Sequence, residues 1–293
     1  MNITIIGLGL LGGSFGLAIR QAQAANRVIG IDLNQEIIDR ACERGAIDEG
    51  HLDSVEAVRE ADLVVLAMPV RTIIDTVSAL ADCLSEKTIL FDLGSTKAAI
   101  SRKIAALPIA VRYIGGHPMA GSEKFGLDFA RADLYTEKIV FLTPTPDDEL
   151  EAINLVIEFW REIGSIPIEL NAARHDQVVA YASHMPHLMS ALIAKATLGH
   201  DEADAHGMAC ASGFRDITRV ASGNVDMWRE ITMQNSVAIL AALDDCQTEL
   251  ANLRQSITDG DEGQIVEFLE IAKRCRDDWL ENSARGRQGN DNT

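Results

Sequence analysis

Cations are scarce in this chain of 293 residues, where 26 Lys and Arg stand against 44 Asp and Glu for a formal net charge of -18. A nucleic-acid surface is held mainly by Lys and Arg neutralising phosphates, so this balance argues against a polyanionic partner. It also means that any small anionic ligand must be met by a few local cations. Cysteine is sparse as well. Cys42, Cys83, Cys210, Cys246 and Cys275 are odd in number and scattered, with no C-x-x-C pair, and read as reduced thiols rather than a disulfide framework. No apolar run approaches the roughly eighteen residues of a membrane helix, and the first residues form a core strand rather than a basic and apolar leader. The expected setting is therefore cytoplasmic, without a membrane partner. The chain lacks internal repeats and low-complexity segments. What it has is 47% hydrophobic residues, enough to supply cores for two domains of ordinary size.

The organising stretch is the first one. Ile3-Thr4-Ile5-Ile6 breaks into Gly7-Leu8-Gly9-Leu10-Leu11-Gly12 and continues as an apolar helical pattern through Ile19. In a strand, turn and helix of this kind Gly7 permits the tight turn, Gly9 lets backbone approach a pyrophosphate and Gly12 lets helix and strand pack closely. The backbone N–H groups of the helix start, at Leu10, Leu11 and Gly12, would face the phosphates with the positive end of the dipole. A second strand, Val28-Ile29-Gly30-Ile31, ends at Asp32, twenty residues after Gly12, where a carboxylate accepts hydrogen bonds from a ribose. The same carboxylate repels a 2′-phosphate, and Leu33 and Asn34 offer no Arg to offset it. The expected cofactor is NAD rather than NADP.

Strand and helix then alternate. Asn34 is the expected N-cap of a helix over 35–44; strands follow at 62–67, 88–92, 112–114, 139–142 and 166–169, with helices over 70–84, 98–107 and 149–163 between them. Apolar runs without alternation, such as Leu63-Val64-Val65-Leu66, suit parallel strands covered on both faces. The pattern predicts an α/β fold, a doubly wound Rossmann-type parallel sheet over residues 1–171. After Asn171 strand signals vanish, and helical patterns over 173–198, 203–221, 224–257 and 262–281 predict an all-helical domain over 172–282. The polar tail, 283–293, is expected to be disordered. The apolar series Val237, Ile239, Leu240, Leu243, Leu250 and Leu253 exceeds what one core face needs, as a dimer interface would, although burial within its own domain explains it equally well.

Ligands bind such sheets at the carboxyl ends of the strands. His117 lies there, in what reads as a glycine-flanked loop after a strand, where a histidine suits acid or base work near neutral pH. Ser95, after the preceding strand, could reach the same cleft or serve as an N-cap. The helical half offers Asp176, His184 and His187, then Asp216, Arg219 and Trp228. His184 and His187 share a helical face, which fits zinc only if further ligands exist; no Cys neighbours them, and no metal is expected. Asp216 and Arg219 are equally compatible with an exposed i, i+3 ion pair.

Five motifs in order, Gly7-Leu-Gly-Leu-Leu-Gly-Gly-Ser14, Asp92-Leu-Gly-Ser-Thr-Lys97, Gly116-His-Pro-Met-Ala-Gly-Ser122, His175-Asp176 with Ser183-His-Met-Pro-His187, and Gly213-Phe-Arg-Asp-Ile-Thr-Arg219 with Met227-Trp-Arg229, closely resemble the prephenate and arogenate dehydrogenases of tyrosine biosynthesis. The resemblance runs from Met1 to about Leu280. It implies a nucleotide-binding domain followed by a helical dimerisation domain, and oxidative decarboxylation of prephenate to 4-hydroxyphenylpyruvate, or of arogenate to tyrosine, with NAD or NADP. By the same resemblance His117 is the catalytic histidine on the ring hydroxyl and Ser95 its partner. Arg219 binds the ring carboxylate, and His187, Asp176, Asp216 and Trp228 line or support the substrate pocket. A two-domain hydroxy-acid dehydrogenase would share the N-terminus but not the combined histidine and arginine motifs. A non-catalytic nucleotide sensor could dispense with His117. Prephenate and arogenate are not distinguished by these residues.

Overall fold

A computed structural model describes every residue other than 54, 109–110, 122–123 and 290–293, and every side chain other than those of these residues and of 56 and 283–289. Strands β1 (Asn2–Ile6), β2 (Arg27–Ile31), β3 (Glu49–His51), β4 (Leu63–Leu66), β5 (Ile89–Asp92), β6 (Arg112–Pro118), β7 (Ile139–Thr143) and β8 (Ile166–Glu169) form a sheet in the order β3-β2-β1-β4-β5-β6-β7-β8. Neighbours are parallel from β3 to β6; β7 runs antiparallel to β6 and parallel to β8. Helices α1 (Leu10–Gln21), α2 (Gln35–Glu43), α3 (Val55–Arg59), α4 (Val70–Leu80), α5 (Ala98–Ala105) and α6 (Leu150–Glu162) connect the strands. The strand order reverses beside β1, which pairs with β2 on one side and β4 on the other, and the carboxyl ends at such a reversal are where sheets of this kind bind ligands.

Both faces of the sheet are covered, which is why its central strands are apolar throughout. Leu63 and Val65 turn to one core, with Phe15, Phe91, Tyr135, Phe159 and Trp160. Val64 and Leu66 turn to the other, with Ile73, Val77, Leu80 and Tyr113, as the two-residue period of a strand requires. Asn34 caps α2, its side chain accepting from the Glu36 amide at 2.9 Å.

The helical half comprises α7 (Ala172–Val179), α8 (Met185–Leu198), α9 (Ala203–Ala209), α10 (Ser212–Thr218), α11 (Val225–Gln234), α12 (Ser236–Asp259) and α13 (Glu262–Gly289). The chain divides into two compact units, Met1–Ile239 and Leu240–Thr293, so the compositional change at Asn171 lies inside the first of them.

The structure departs from the sequence pattern in identifiable places. β3 is Glu-Gly-His, a short edge strand with no apolar run to announce it. β6 extends through Pro118, so His117 is not in a loop but on a strand, opposite Phe141 of β7. The glycines before it serve close packing: a Cβ on Gly116 would stand 2.0 Å from the Phe91 ring. The helix expected over 173–198 contains a π-turn at Ala180–His184, just ahead of Pro186, whose ring and missing N–H disrupt regular α bonding. The pattern over 224–257 breaks at Asn235, whose side chain turns inward to Asp176 and His184. At the C-terminus α13 extends as far as Gly289, inside the 283–293 tail. Residues 290–293 of that tail, and Ser122 of the third motif, lie outside the described residues.

Candidate active site

At the end of β1 the glycines do what their spacing requires. Gly7 has φ of +94°, and a Cβ on Gly12 would lie 1.9 Å from the Gly7 carbonyl oxygen. A Cβ on Gly9 would meet no protein atom within 4 Å, so its glycine leaves open space beside the helix end. The first α1 turn carries no acidic residue and no side-chain cap. Its hydrogen bonding starts with Gly13 N–H donating to the Gly9 carbonyl at 2.9 Å, leaving the amides of Leu10, Leu11 and Gly12 at the helix end. Asp32, at the end of β2, accepts from the Leu8 amide at 3.0 Å and the Asn34 amide at 3.2 Å, which turns its carboxylate toward the glycine loop. This set fits a dinucleotide: phosphates on the helix end, a ribose on Asp32.

A buried polar network lies at the carboxyl ends of β5 and β6. Lys97, fully buried, donates through Nζ to Asp92 and to the Gly116 carbonyl, the latter at 2.6 Å. Tyr113 donates to the other Asp92 oxygen at 2.6 Å. Burial draws the Lys97 ammonium below its ordinary range, with Asp92 opposing; burial and then Asp92 push the Tyr113 phenol well up, so it remains a donor.

Asp176, on α7, reaches across to the start of α5. Its Oδ1 accepts from the Lys97 amide at 2.8 Å and its Oδ2 from the Ala98 amide at 3.0 Å. The same Oδ1 lies 2.8 Å from His175 Nδ1, and His175 Nε2 lies 2.9 Å from Nδ1 of His117. Burial raises the Asp176 carboxyl, but the bonds from His175 and the two amides outweigh it and hold the group below the usual carboxylate range. His117, half-buried, is driven well below the ordinary histidine range by desolvation, then by His175, Lys97 and His184. Burial likewise lowers His175, against its bond to Asp176, and takes His184 to about 4. These are neutral imidazoles near pH 7. His117 is therefore able to accept a proton.

A second group adjoins the first. The His187 ring stacks on Trp228 with centroids 3.5 Å apart and planes 9° from parallel, and His184 meets the same Trp228 edge-on at 6.1 Å. His187 Nδ1 is buried without a hydrogen-bond partner among the described residues, an orphan that a polar ligand could satisfy. Gly223 makes room here, since a Cβ would stand 2.7 Å from Trp228 Nε1. Asn235 ties the groups together, donating through Nδ2 to the Asp176 carbonyl at 2.8 Å and lying 3.1 Å from His184 Nδ1.

The residues singled out from sequence thus separate. His117 and Asp176 fall in one network, and His187 and Trp228 stack beside it. Ser95 is half-buried at the turn after β5, but His117 pairs through Nδ1 with His175 rather than with Ser95. Asp216 on α10 and Arg219, in a 3-10 turn over Arg219–Ser222, are exposed. Lys97, Asp92, Tyr113 and Asn235 carried no assigned role in the sequence pattern. A lysine two residues beyond a strand-end Gly-Ser pair was the available signal, and its burial was not. Among the described residues no group of three or more His, Cys, Asp or Glu could hold a metal ion.

A glycine-turned dinucleotide site and a neutral, accepting histidine, both at the carboxyl ends of a doubly wound sheet, define a nucleotide-dependent dehydrogenase of the sheet-plus-helices class. Comparison with known proteins narrows this. Residues 15–168 match the family model for the prephenate dehydrogenase nucleotide-binding domain, and residues 171–271 match that for the prephenate dehydrogenase dimerization domain. The chain belongs to the prephenate dehydrogenase family. It is 32% identical over 281 residues to a prephenate dehydrogenase of Bacillus subtilis, covering 94% of this chain and 75% of that one. It is 32% identical over 278 residues to a cyclohexadienyl dehydrogenase of Zymomonas mobilis, covering 94% of each. The crystal structure of prephenate dehydrogenase from A. aeolicus, in complex with hydroxyphenyl propionate and NAD+, superposes with a TM-score of 0.88 at 31% identity, covering 95% of this chain and 98% of that one.

Proposed function

We propose that the protein is an NAD-dependent prephenate dehydrogenase, oxidatively decarboxylating prephenate to 4-hydroxyphenylpyruvate in tyrosine biosynthesis. The observation that carries this reading is His117, a neutral histidine half-buried at the end of β6 and backed by His175 and Asp176. NAD, when bound, supplies the hydride acceptor. Gly7, Gly9 and the amides of Leu10, Leu11 and Gly12 hold its phosphates, and Asp32 its ribose. His117 takes the proton of the ring hydroxyl as the ring carbon is oxidised, with Ser95 joining it once substrate is present. Arg219 orients the ring carboxylate without protonating it, because a guanidinium stays charged. Asp216 supports it, and His187 and Trp228 line the substrate's other end. Aromatisation with loss of carbon dioxide drives the step forward. The cyclohexadienyl dehydrogenase relative favours a second reading in which arogenate is also accepted.

The functional division is a nucleotide-binding domain over 1–171 and a helical substrate and dimerisation domain over 172–282, acting as a homodimer in the cytoplasm. The dimer reading rests on the family's dimerization domain at 171–271 and on the large apolar residues that α12 and α13 leave exposed. No helix among the described residues is long and apolar enough to cross a membrane. The decisive experiment offers the purified protein prephenate or arogenate with NAD or NADP and follows reduced nicotinamide by absorbance. Turnover of prephenate with NAD, and little with NADP at low concentration, is expected; arogenate turnover alone would assign the second activity, and none with either substrate would overturn the proposal.

A further inference from the structure

We infer that His175 is a positioning residue that holds His117 in the tautomer with its proton on Nδ1 and its Nε2 lone pair bare, with Asp176 as the anchor. The inference rests on the dehydrogenase reading only for what that lone pair acts upon. The assignment follows from donor and acceptor chemistry along one line of atoms. The Asp176 carboxylate can only accept, so His175 donates to it through Nδ1–H at 2.8 Å. A neutral His175 then has only a lone pair at Nε2, and the 2.9 Å contact there requires His117 to donate through Nδ1–H. His117 Nε2 is left as the base.

The anchor cannot swing. Asp176 is tied to the start of α5 through the amides of Lys97 and Ala98, and its own carbonyl is held by Asn235. Other neighbours cannot replace His175 as acceptor. Lys97 Nζ has no lone pair when charged and is committed to Asp92 and the Gly116 carbonyl; His184 faces Asn235. The His175 ring is steadied edge-on by Phe141, centroids 5.6 Å apart, the residue opposite His117 in the strand pairing.

This arrangement suits a proton that is lent and returned. The hydroxyl O–H bond breaks and an Nε2–H bond forms as the ring carbon gives up its hydride. When the bond to the ring carboxylate breaks, its electron pair enters the ring and leaves a phenolate oxygen, which recovers the proton from His117. No net proton is released. The imidazolium that exists between these events donates through Nδ1–H to His175 and is stabilised by Asp176 beyond it, while Asp176 stays ionised. The same logic governs a hydrolytic triad, in which an aspartate fixes a histidine tautomer without taking its proton.

Nitrogen-15 correlation spectra of the histidines in the full chain test the assignment directly. Wild-type His117 is expected as the Nδ1–H tautomer, and His175→Phe should shift it toward Nε2–H. With prephenate and NAD, His175→Phe should lower kcat by about 100-fold or more while leaving KM within about threefold, and His175→Gln, whose amide oxygen can accept from Nδ1–H, should recover about tenfold of that loss. An Nε2–H tautomer in the wild type, or a His175→Phe kcat within threefold of the parent, would overturn the inference. If the Phe variant does not fold, the wild-type tautomer and the Gln variant decide. A wild type that turns over neither ring substrate would refute the activity reading alone, since the spectra still report the tautomer.

Discussion

His184 shows how far desolvation sets the chemistry of single residues in this protein. It is 1% exposed, and burial brings it from 6.5 to about 4. Well above pH 6.5 it is neutral whether folded or unfolded. As pH falls below that value the unfolded chain binds a proton that the native state refuses until about pH 4, so stability is lost across this window, by about 3 kcal/mol from this group. Urea unfolding at a series of pH values should show the fall, and His184→Asn should flatten it by about one proton; an unchanged slope would remove His184 as its source. His117 carries a kinetic expectation. Its replacement by Asn keeps a hydrogen bond to the ring hydroxyl but cannot take the proton, so kcat should drop by about 100 to 10,000-fold with KM little changed in steady-state assays. Arg219→Ala should do the reverse, raising KM for prephenate by about 10 to 150-fold, the effect of about 1.5 to 3 kcal/mol from a charge-assisted contact, with Lys restoring only part of it. A KM that does not move would return Arg219 to a surface role.

At the scale of elements, β1, the glycine turn and α1 separate glycines that fold the chain from glycines that leave room for a ligand. Gly12→Ala places a methyl against the Gly7 carbonyl, 1.9 Å away, where only backbone movement relieves the clash, and should destabilise by at least about 1 to 3 kcal/mol. Gly9→Ala meets nothing within 4 Å and should leave the melting temperature within a few degrees, yet raise KM for NAD at least tenfold by filling the phosphate approach. Thermal unfolding and cofactor titration on the two variants would read this contrast; equal effects on folding would contradict it. The start of α5 follows a related rule. Its caps come from Asp176 on a distant helix, so the amides that begin α5 and the histidine line share one carboxylate.

For the whole molecule, α12 and α13 present more apolar surface than one chain covers. Leu250, Ile257, Val266 and Leu269 are all more than half exposed, at 59%, 62%, 52% and 58%. Exposed apolar side chains of this size, in the family's dimerization domain, are expected to be buried about a twofold axis, apolar association overcoming the repulsion of a net charge of -18. Light scattering at micromolar concentration should give twice the chain mass, and the double substitution Val266→Glu and Leu269→Glu should shift it toward the monomer. A parent protein of single-chain mass would remove the dimer.

The glycine spacing, the acidic residue ending β2 and the unbroken apolar strands were legible in the sequence because each is a local rule: φ at Gly7, helix packing at Gly12, a sheet covered on both faces. The family was legible from the order of its motifs. The proton-accepting arrangement was not. His117 reads as a loop residue because the glycines beside it usually mark turns, whereas here they admit the Phe91 ring and let β6 pair with β7. His175 and Asp176 lie 58 and 59 residues beyond His117, and their meeting depends on α7 lying across the start of α5. Lys97 and Asn235 look like ordinary surface or cap residues until burial forces each to satisfy its polar atoms on whatever the fold brings near. Residue type and spacing therefore determined the fold class and the family, because both rest on local rules and on the order of motifs. Which nitrogen of His117 stays bare was decided only in three dimensions, because a tautomer is set by the partner on the other side of the ring.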